Sequence, residues 1–174
     1  MEPFRRNNSS ERPEDNFIEK VIRIDRITKV VKGGKRMAFR AFVISGDGKG
    51  SVGIGLGKSK EVPVAIKKAI EKARKSSSKV NITKGTLPHV IEAHFGASRV
   101  MMKPAKPGTG VIAGGAVRIL LEALGLKDVV AKSLGSRNPI NSAKAALVCL
   151  STCKSLSEEV LVRGKALPVY ISEE

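Results

Sequence analysis

From Phe17 to Val31 the chain reads FIEKVIRIDRITKVV, isoleucine and valine interleaved with charge until Gly33-Gly34 breaks the run. β-branched residues in that arrangement predict a strand, and the glycine pair predicts a turn inside a basic loop, KVVKGGKR. MAFRAFVIS, residues 37 to 45, predicts a second strand. After the turn signal Asp47-Gly48, SVGIGLG predicts a third, with Val52, Ile54 and Leu56 on one face. The period then changes. In EVPVAIKKAIEKARKSS, residues 61 to 77, Val62, Ala65, Ile66, Ala69, Ile70 and Ala73 recur at helical spacing and leave Lys67, Lys68, Lys72 and Lys75 for the outer surface. Three strands carrying one helix make a small α+β layer, followed by SSSKVNITKGT, residues 76 to 86, a linker or inter-domain strand.

The second half predicts a strand (HVIEAHF), a tight turn at Gly96-Ala97-Ser98, a strand (RVMMK), a Gly/Pro loop (PAKPGTG), a helix (GGAVRILLEALG), a strand (DVVAKSL) and a helix (NPINSAKAALVCL). In the last helix Asn138 is placed to cap, and Pro139 occupies the first helical position, where its missing N–H costs nothing. Ile140, Ala143, Leu147 and Leu150 form its buried stripe. The polar first sixteen residues offer too little apolar surface to offset their ordering entropy, which predicts a mobile tail. Residues 155 to 174, which include RGKALPVYI, carry too weak a pattern to assign.

Charge narrows the function. The 174 residues carry 32 Lys plus Arg against 16 Asp plus Glu, a net +16. Of that, +12 lies in residues 1 to 86 and only +4 in residues 87 to 174. Residues 20 to 40 and 58 to 84 are each a net +7. One basic run is commonly a solvated face, but two in one half point to a polyanionic partner. No apolar run approaches the ~20 residues of a membrane span. Cys149 and Cys153, four apart on a predicted helix, fit neither a disulfide framework nor a Cys-x-x-Cys metal site and read as small packed side chains of a reduced, intracellular protein.

GDGKGSVGIGLGKSKE, residues 46 to 61, invites a nucleotide, but a Walker loop needs glycine where Val52 stands. Gly48-x-Gly50-x-x-Gly53 matches the dinucleotide pattern, yet a strand follows where a helix should receive the pyrophosphate. Gly108-x-Gly110-x-x-Ala113 does precede a helix, but Asp128 begins the next strand, where a ribose-binding acid should end it. With two histidines, His89 and His94, at opposite parity on one short strand, no catalytic constellation assembles, and neither enzyme activity nor a cofactor is expected. Gly53, Gly55 and Gly57 strip one strand face of side chains, so that something approaches closely: a sugar-phosphate backbone or the helix of residues 61 to 77. The six aromatics, with no Trp, do not interleave with the basic residues, so a base-stacking platform is disfavoured and recognition of backbone and shape, as in structured RNA, is favoured.

In order along the chain, RITKVVKGGKRMAF, GDGKGSVGIGLGKSKEVPVAIKKAIEKAR, PAKPGTGVIAGGAVR and GSRNPIN resemble the bacterial S-five family of small-ribosomal-subunit proteins, from about Phe17 to about Leu150. The resemblance implies an α+β protein of two small domains. Residues 17–80 would form a three-stranded sheet with one helix, like double-stranded-RNA-binding domains. Residues 81–154 would form a βαβα-type domain with a left-handed crossover, flanked by tails at 1–16 and 155–174. The implied role is structural: binding small-subunit ribosomal RNA and contributing to the messenger entrance and translational accuracy. An independent double-stranded-RNA-binding module is the alternative. Candidate RNA contacts are Arg23, Arg26, Lys29, Lys32, Gly33, Gly34, Lys35 and Arg36 in and before the basic loop, Lys49, Lys58 and Lys60 around the glycine run, and Arg99 and Arg137 in the second half. Gly110 and Arg118 match family positions facing the neighbouring S-four protein, and the tail past Ser151 would approach the S-eight protein. Messenger RNA near the entrance is a further partner, with no membrane. The location implied is a cytoplasmic ribosome, with an organellar one left open.

Overall fold

A computed structural model describes residues 17–82 and 85–164. The expected N-terminal tail and most of RGKALPVYI lie outside the described residues. β1 (Ile18–Val31) and β2 (Gly34–Gly46) form a long antiparallel hairpin closed by Lys32 and Gly33, in register from Val31↔Gly34 to Ile18↔Gly46 with one slip between Val21 and Arg23. Gly33 sits at φ 86°, a conformation that glycine adopts without the Cβ penalty of other residues. β3 (Ser51–Ser59) pairs with β2 only from Phe39 to Gly46, so residues 27–31 and 34–38 project past the sheet as a two-stranded ribbon. β4 (Ser78–Lys79) adds a two-residue fourth strand against Ser51 and Val52, within the segment expected to be a linker or inter-domain strand.

α1 (Val62–Lys75) crosses β2 and β3, burying Ala65, Ala69 and Ala73. This contact decides what approaches the glycine face. A Cβ on Gly53, Gly55 or Gly57 would overlap the carbonyl oxygens of Ala73, Ala69 and Ala65 in turn, so the helix lies directly on the strand. Small residues on both sides bring the two backbones together, and Ala41 and Val43 of β2 with Ile66 and Ile70 of α1 complete this layer.

The second sheet has the order β5-β6-β8-β7. β5 (Ile91–Phe95) and β6 (Ser98–Pro104) form a hairpin; β7 (Val111–Ile112), α2 (Gly115–Leu124) and β8 (Val129–Ser133) form a parallel βαβ unit; α3 (Pro139–Ser151) packs on β5, β6 and α2. His89 precedes β5 rather than lying on it with His94. Asn138 caps α3 through its side-chain oxygen, which accepts from Ile140 N at 3.2 Å. The buried face of α3 is broader than the expected stripe: Ser142, Ala145, Ala146 and Cys149 are buried with Ala143 and Leu150, while Ile140 and Leu147 are half-buried. The cause is its double contact, since a helix wedged between a sheet and another helix buries small residues on its flanks. Within the weakly patterned stretch from residue 155 onward, Leu156–Arg163 forms α4.

The two halves share one core. Phe42, Ile44 and Val52, on the sheet face opposite α1, join Leu120, Leu121, Leu124, Val100 and Met102 of the second half. That is why Ala41 to Ser45 are all buried without alternation: β2 is covered on both faces.

Candidate nucleic-acid interface

The strand register converts the basic runs into a surface. Lys29 faces Arg36 across the projecting ribbon, Val30 faces Lys35, and Lys32 occupies the tip. On the face shared by Ile27, Lys29, Arg36 and Ala38, the end of β3 supplies Lys58, and Lys60 follows it. The result is a groove of about 270 Å³ lined by Ile27, Thr28, Lys29, Arg36, Met37, Ala38, Lys58 and Lys60. Two segments separated in sequence are thus joined: four cations, Lys29, Arg36, Lys58 and Lys60, share this groove with Ile27 and Ala38. Lys29, Lys32, Lys35, Arg36, Lys58 and Lys60 make no ion pair among the described residues. Clustered like charge without internal neutralisation suits a surface that meets an external polyanion.

Other candidate contacts lie elsewhere. Arg26 is exposed on the reverse face of the ribbon, opposite Phe39. Arg23 is held by Asp25 at 2.5 Å, and the same carboxylate takes Arg40 at 2.7 Å. The hydrogen bond from Arg40, then that from Arg23, hold the Asp25 carboxyl below its ordinary value, against desolvation that raises it. Arg99 pairs with Glu92 on β5. Arg137 lines a separate cleft with Gly114, Gly115, Ser133 and Ser142. Lys49 lies in the turn before β3, whose Ser51 end is roughly 23 Å from Lys58 at about 3.3 Å per residue.

The glycine motifs have internal partners. Gly48 N donates to Ala123 O at 3.0 Å and Gly50 N to Leu124 O at 3.2 Å, so the 46–50 loop is the seat for the end of α2. Asp47 accepts from the amides of Lys49 and Ser51, both at 2.8 Å. Burial raises the Asp47 pKa, but these hydrogen bonds outweigh it and the net shift is downward. Asp128 Oδ1 accepts from Gly110 N at 2.9 Å, which ties the Gly/Pro loop to β8 and occupies the acid considered for a ribose. Burial pushes the Cys149 thiol up to about 11, and its S–H donates to Val100 O at 3.2 Å, the behaviour of a packed thiol.

Arg118 is exposed on α2, off the buried stripe, and pairs with Glu122 at 2.9 Å. Glu122 also takes Lys20 of β1 at 2.8 Å, a surface bridge between the halves. Hydrogen bonds from Lys20 first and Arg118 second lower the Glu122 pKa. The pattern on α2 alone could not reveal this partner on β1. It also gave no sign that Lys144 of α3 joins Lys72 and Lys75 of α1 around Ile54 and Leu56.

Two family models match the chain: ribosomal protein S5, N-terminal domain, over residues 17–81, and ribosomal protein S5, C-terminal domain, over residues 93–162. The chain belongs to the ribosomal protein S5 family. By family it is a structural ribosomal protein and not an enzyme. Small ribosomal subunit protein uS5 of Lawsonia intracellularis is 53% identical, covering 90% of this chain and 96% of its own length. The proteins of the same name from Xylella fastidiosa strain M12 and Xanthomonas campestris pv. campestris strain B100 are 52% and 50% identical over 89% and 92% of this chain, and 87% and 89% of their own lengths. The family's two-part α+β organisation matches the two sheets, each with its helices. No helix among the described residues is long and apolar enough to cross a membrane.

Proposed function

We propose that this chain is held in the small ribosomal subunit by gripping its ribosomal RNA through the β1–β2 ribbon and the groove at its base. Supporting this reading is one observation: six cations from two distant segments meet on the ribbon and groove with no carboxylate pairing them. Contacts of this kind go to phosphates and 2′-hydroxyls and fix position rather than read sequence. On this reading residues 17–80 are the RNA-gripping unit and residues 81–154 the unit facing protein neighbours. Gly110 and Arg118 meet the S-four protein, and the chain past Ser151 meets the S-eight protein. The whole borders the messenger entrance of a cytoplasmic ribosome, where the S-four contact tunes accuracy.

The test is the double variant Lys32→Glu with Lys35→Glu. Its salt dependence of binding to a small-subunit ribosomal RNA transcript, read by filter binding, should fall by about one unit of slope for each phosphate no longer neutralised, taking the duplex DNA value as a guide. An unchanged slope with the fold intact by circular dichroism would show that the ribbon is a solvated face.

A further inference from the structure

A second group of cations is assembled only by the tertiary fold. Ile54 and Leu56, on the same face of β3 as Lys58, floor a cleft of about 430 Å³ whose walls are Lys72 and Lys75 of α1 and Lys144 of α3. Ser76 closes one end by donating its hydroxyl to Ile54 O at 2.9 Å. None of the three lysines makes an ion pair among the described residues. Lys72 and Lys75 lie in the last turn of α1, where the helix dipole alone would favour cations. Lys144 has no such reason. It lies in the interior of α3, in the other half of the molecule, with its ammonium 4.9 Å from the centre of the Phe95 ring, and it shares the cleft with two other cations and no anion.

We propose that this cleft is a second RNA-backbone site, continuous with the ribbon groove, so that one RNA segment runs along β3 from the ribbon to α3 and bridges the two halves. This inference rests on the reading of the ribbon given above. Continuity follows from strand geometry: Lys58, Leu56 and Ile54 are alternate residues on one face, about 7 Å apart, comparable to the spacing of successive phosphates. The four cations of the groove and the three of the cleft therefore form a track without a carboxylate lining either pocket. The apolar floor fits sugar edges between phosphates. An acidic protein segment is the competing occupant, less favoured because the track continues directly into the groove assigned to RNA.

The experiment compares three forms of the full chain on a small-subunit ribosomal RNA transcript: the native chain, Lys72→Gln/Lys75→Gln/Lys144→Gln, and Lys32→Glu/Lys35→Glu. The cleft variant should lower the slope of log K against log salt by about two to three units, and the single Lys144→Gln variant by about one. Restoring charge with arginine at position 144 should recover that unit. Hydroxyl-radical protection should shrink at one end of the footprint, while the protection that depends on the ribbon persists. A reduced slope for the ribbon variant with an unchanged slope for the folded cleft variant overturns this inference alone. Unchanged slopes for both overturn the ribbon reading and the inference together. Unchanged RNA binding by the cleft variant with weakened pull-down of a purified ribosomal neighbour assigns the cleft to a protein and also overturns it.

Discussion

Replacing Gly55 with alanine adds a single methyl group at the tightest contact in the first half of the molecule. The backbone of Gly55 lies outside the left-handed region, so alanine meets no conformational strain there and any cost comes from steric overlap alone. The new Cβ would overlap Ala69 O and stand 2.7 Å from Ala73 N, both backbone atoms that no rotamer change can move. Restoring ordinary separation at about 3.4 Å requires α1 to move off β3 by at least 0.7 Å at Ala73 N, and further at Ala69. A gap of that size forfeits a quarter to a half of the dispersion energy of the atoms facing it. Those atoms belong to the fully buried Ala65, Ala69 and Ala73. The cost belongs at the upper end for overpacking, about 3 kcal/mol, which lowers the midpoint of thermal unfolding by about 6–12 °C for a chain of this length. Gly34→Ala is the control: nothing lies within 4 Å of its Cβ position and its φ is ordinary, so stability should stay level or rise by up to about 1 kcal/mol. Urea unfolding followed by circular dichroism reads both. A Gly55→Ala change within about 0.5 kcal/mol of zero, joined to weakened RNA binding, would instead put the RNA, and not α1, against the strand.

Two further outcomes follow from the site. Arg118→Leu should alter stability by less than about 0.5 kcal/mol, because only an exposed pair is removed and Glu122 keeps Lys20; if the proposed contact with the S-four protein exists, the variant should loosen it and raise stop-codon readthrough, and unchanged readthrough in ribosomes shown to contain the variant would remove Arg118 from the functional residues. Asp47→Ala should destabilise by about 1–3 kcal/mol at pH 7, through two amides left without their charged acceptor. Because the folded Asp47 pKa is lowered, this contribution is fully present above the unfolded value near 3.8 and disappears as pH falls through the folded value. The gap between native and variant chains in acid titrations of stability should therefore be constant above about pH 5 and narrow progressively as pH falls below about 4; a gap that does not narrow on acidification while the chain stays folded would contradict it.

Local pattern was enough for most elements, because the β1–β3 meander and α1 each carry their own period and turn signals. It failed where structure depends on distant partners. β4 and β7 are two-residue strands that exist only through pairing with β3 and β8, and neither has room for a pattern. The alanines of α3 are core because α2 and the β5–β6 hairpin press on it from two sides, which a hydrophobic stripe drawn on α3 alone omits. The glycine face of β3 announced a close approach but not its partner; the matching spacing of Ala65, Ala69 and Ala73 was the signal that could have chosen the helix. In the same way Lys29, Arg36, Lys58 and Lys60 were visible as charges, but their convergence needed the register Arg40↔Lys58. Internal ion pairs for Arg23, Arg99 and Arg118 depend on side-chain geometry that sequence spacing does not encode.

A built-in RNA-binding part of the small ribosomal subunit should have almost no free pool in the cell. Sucrose-gradient sedimentation of a cell extract, with the chain detected by antibody in each fraction, measures that pool. Nearly all of the chain should travel with small subunits and whole ribosomes, and raising the salt should strip the ribbon variant before the native chain. A predominantly free pool, or one bound to assorted duplex RNA outside the ribosomal fractions, would contradict a built-in role and favour an independent double-stranded-RNA-binding module.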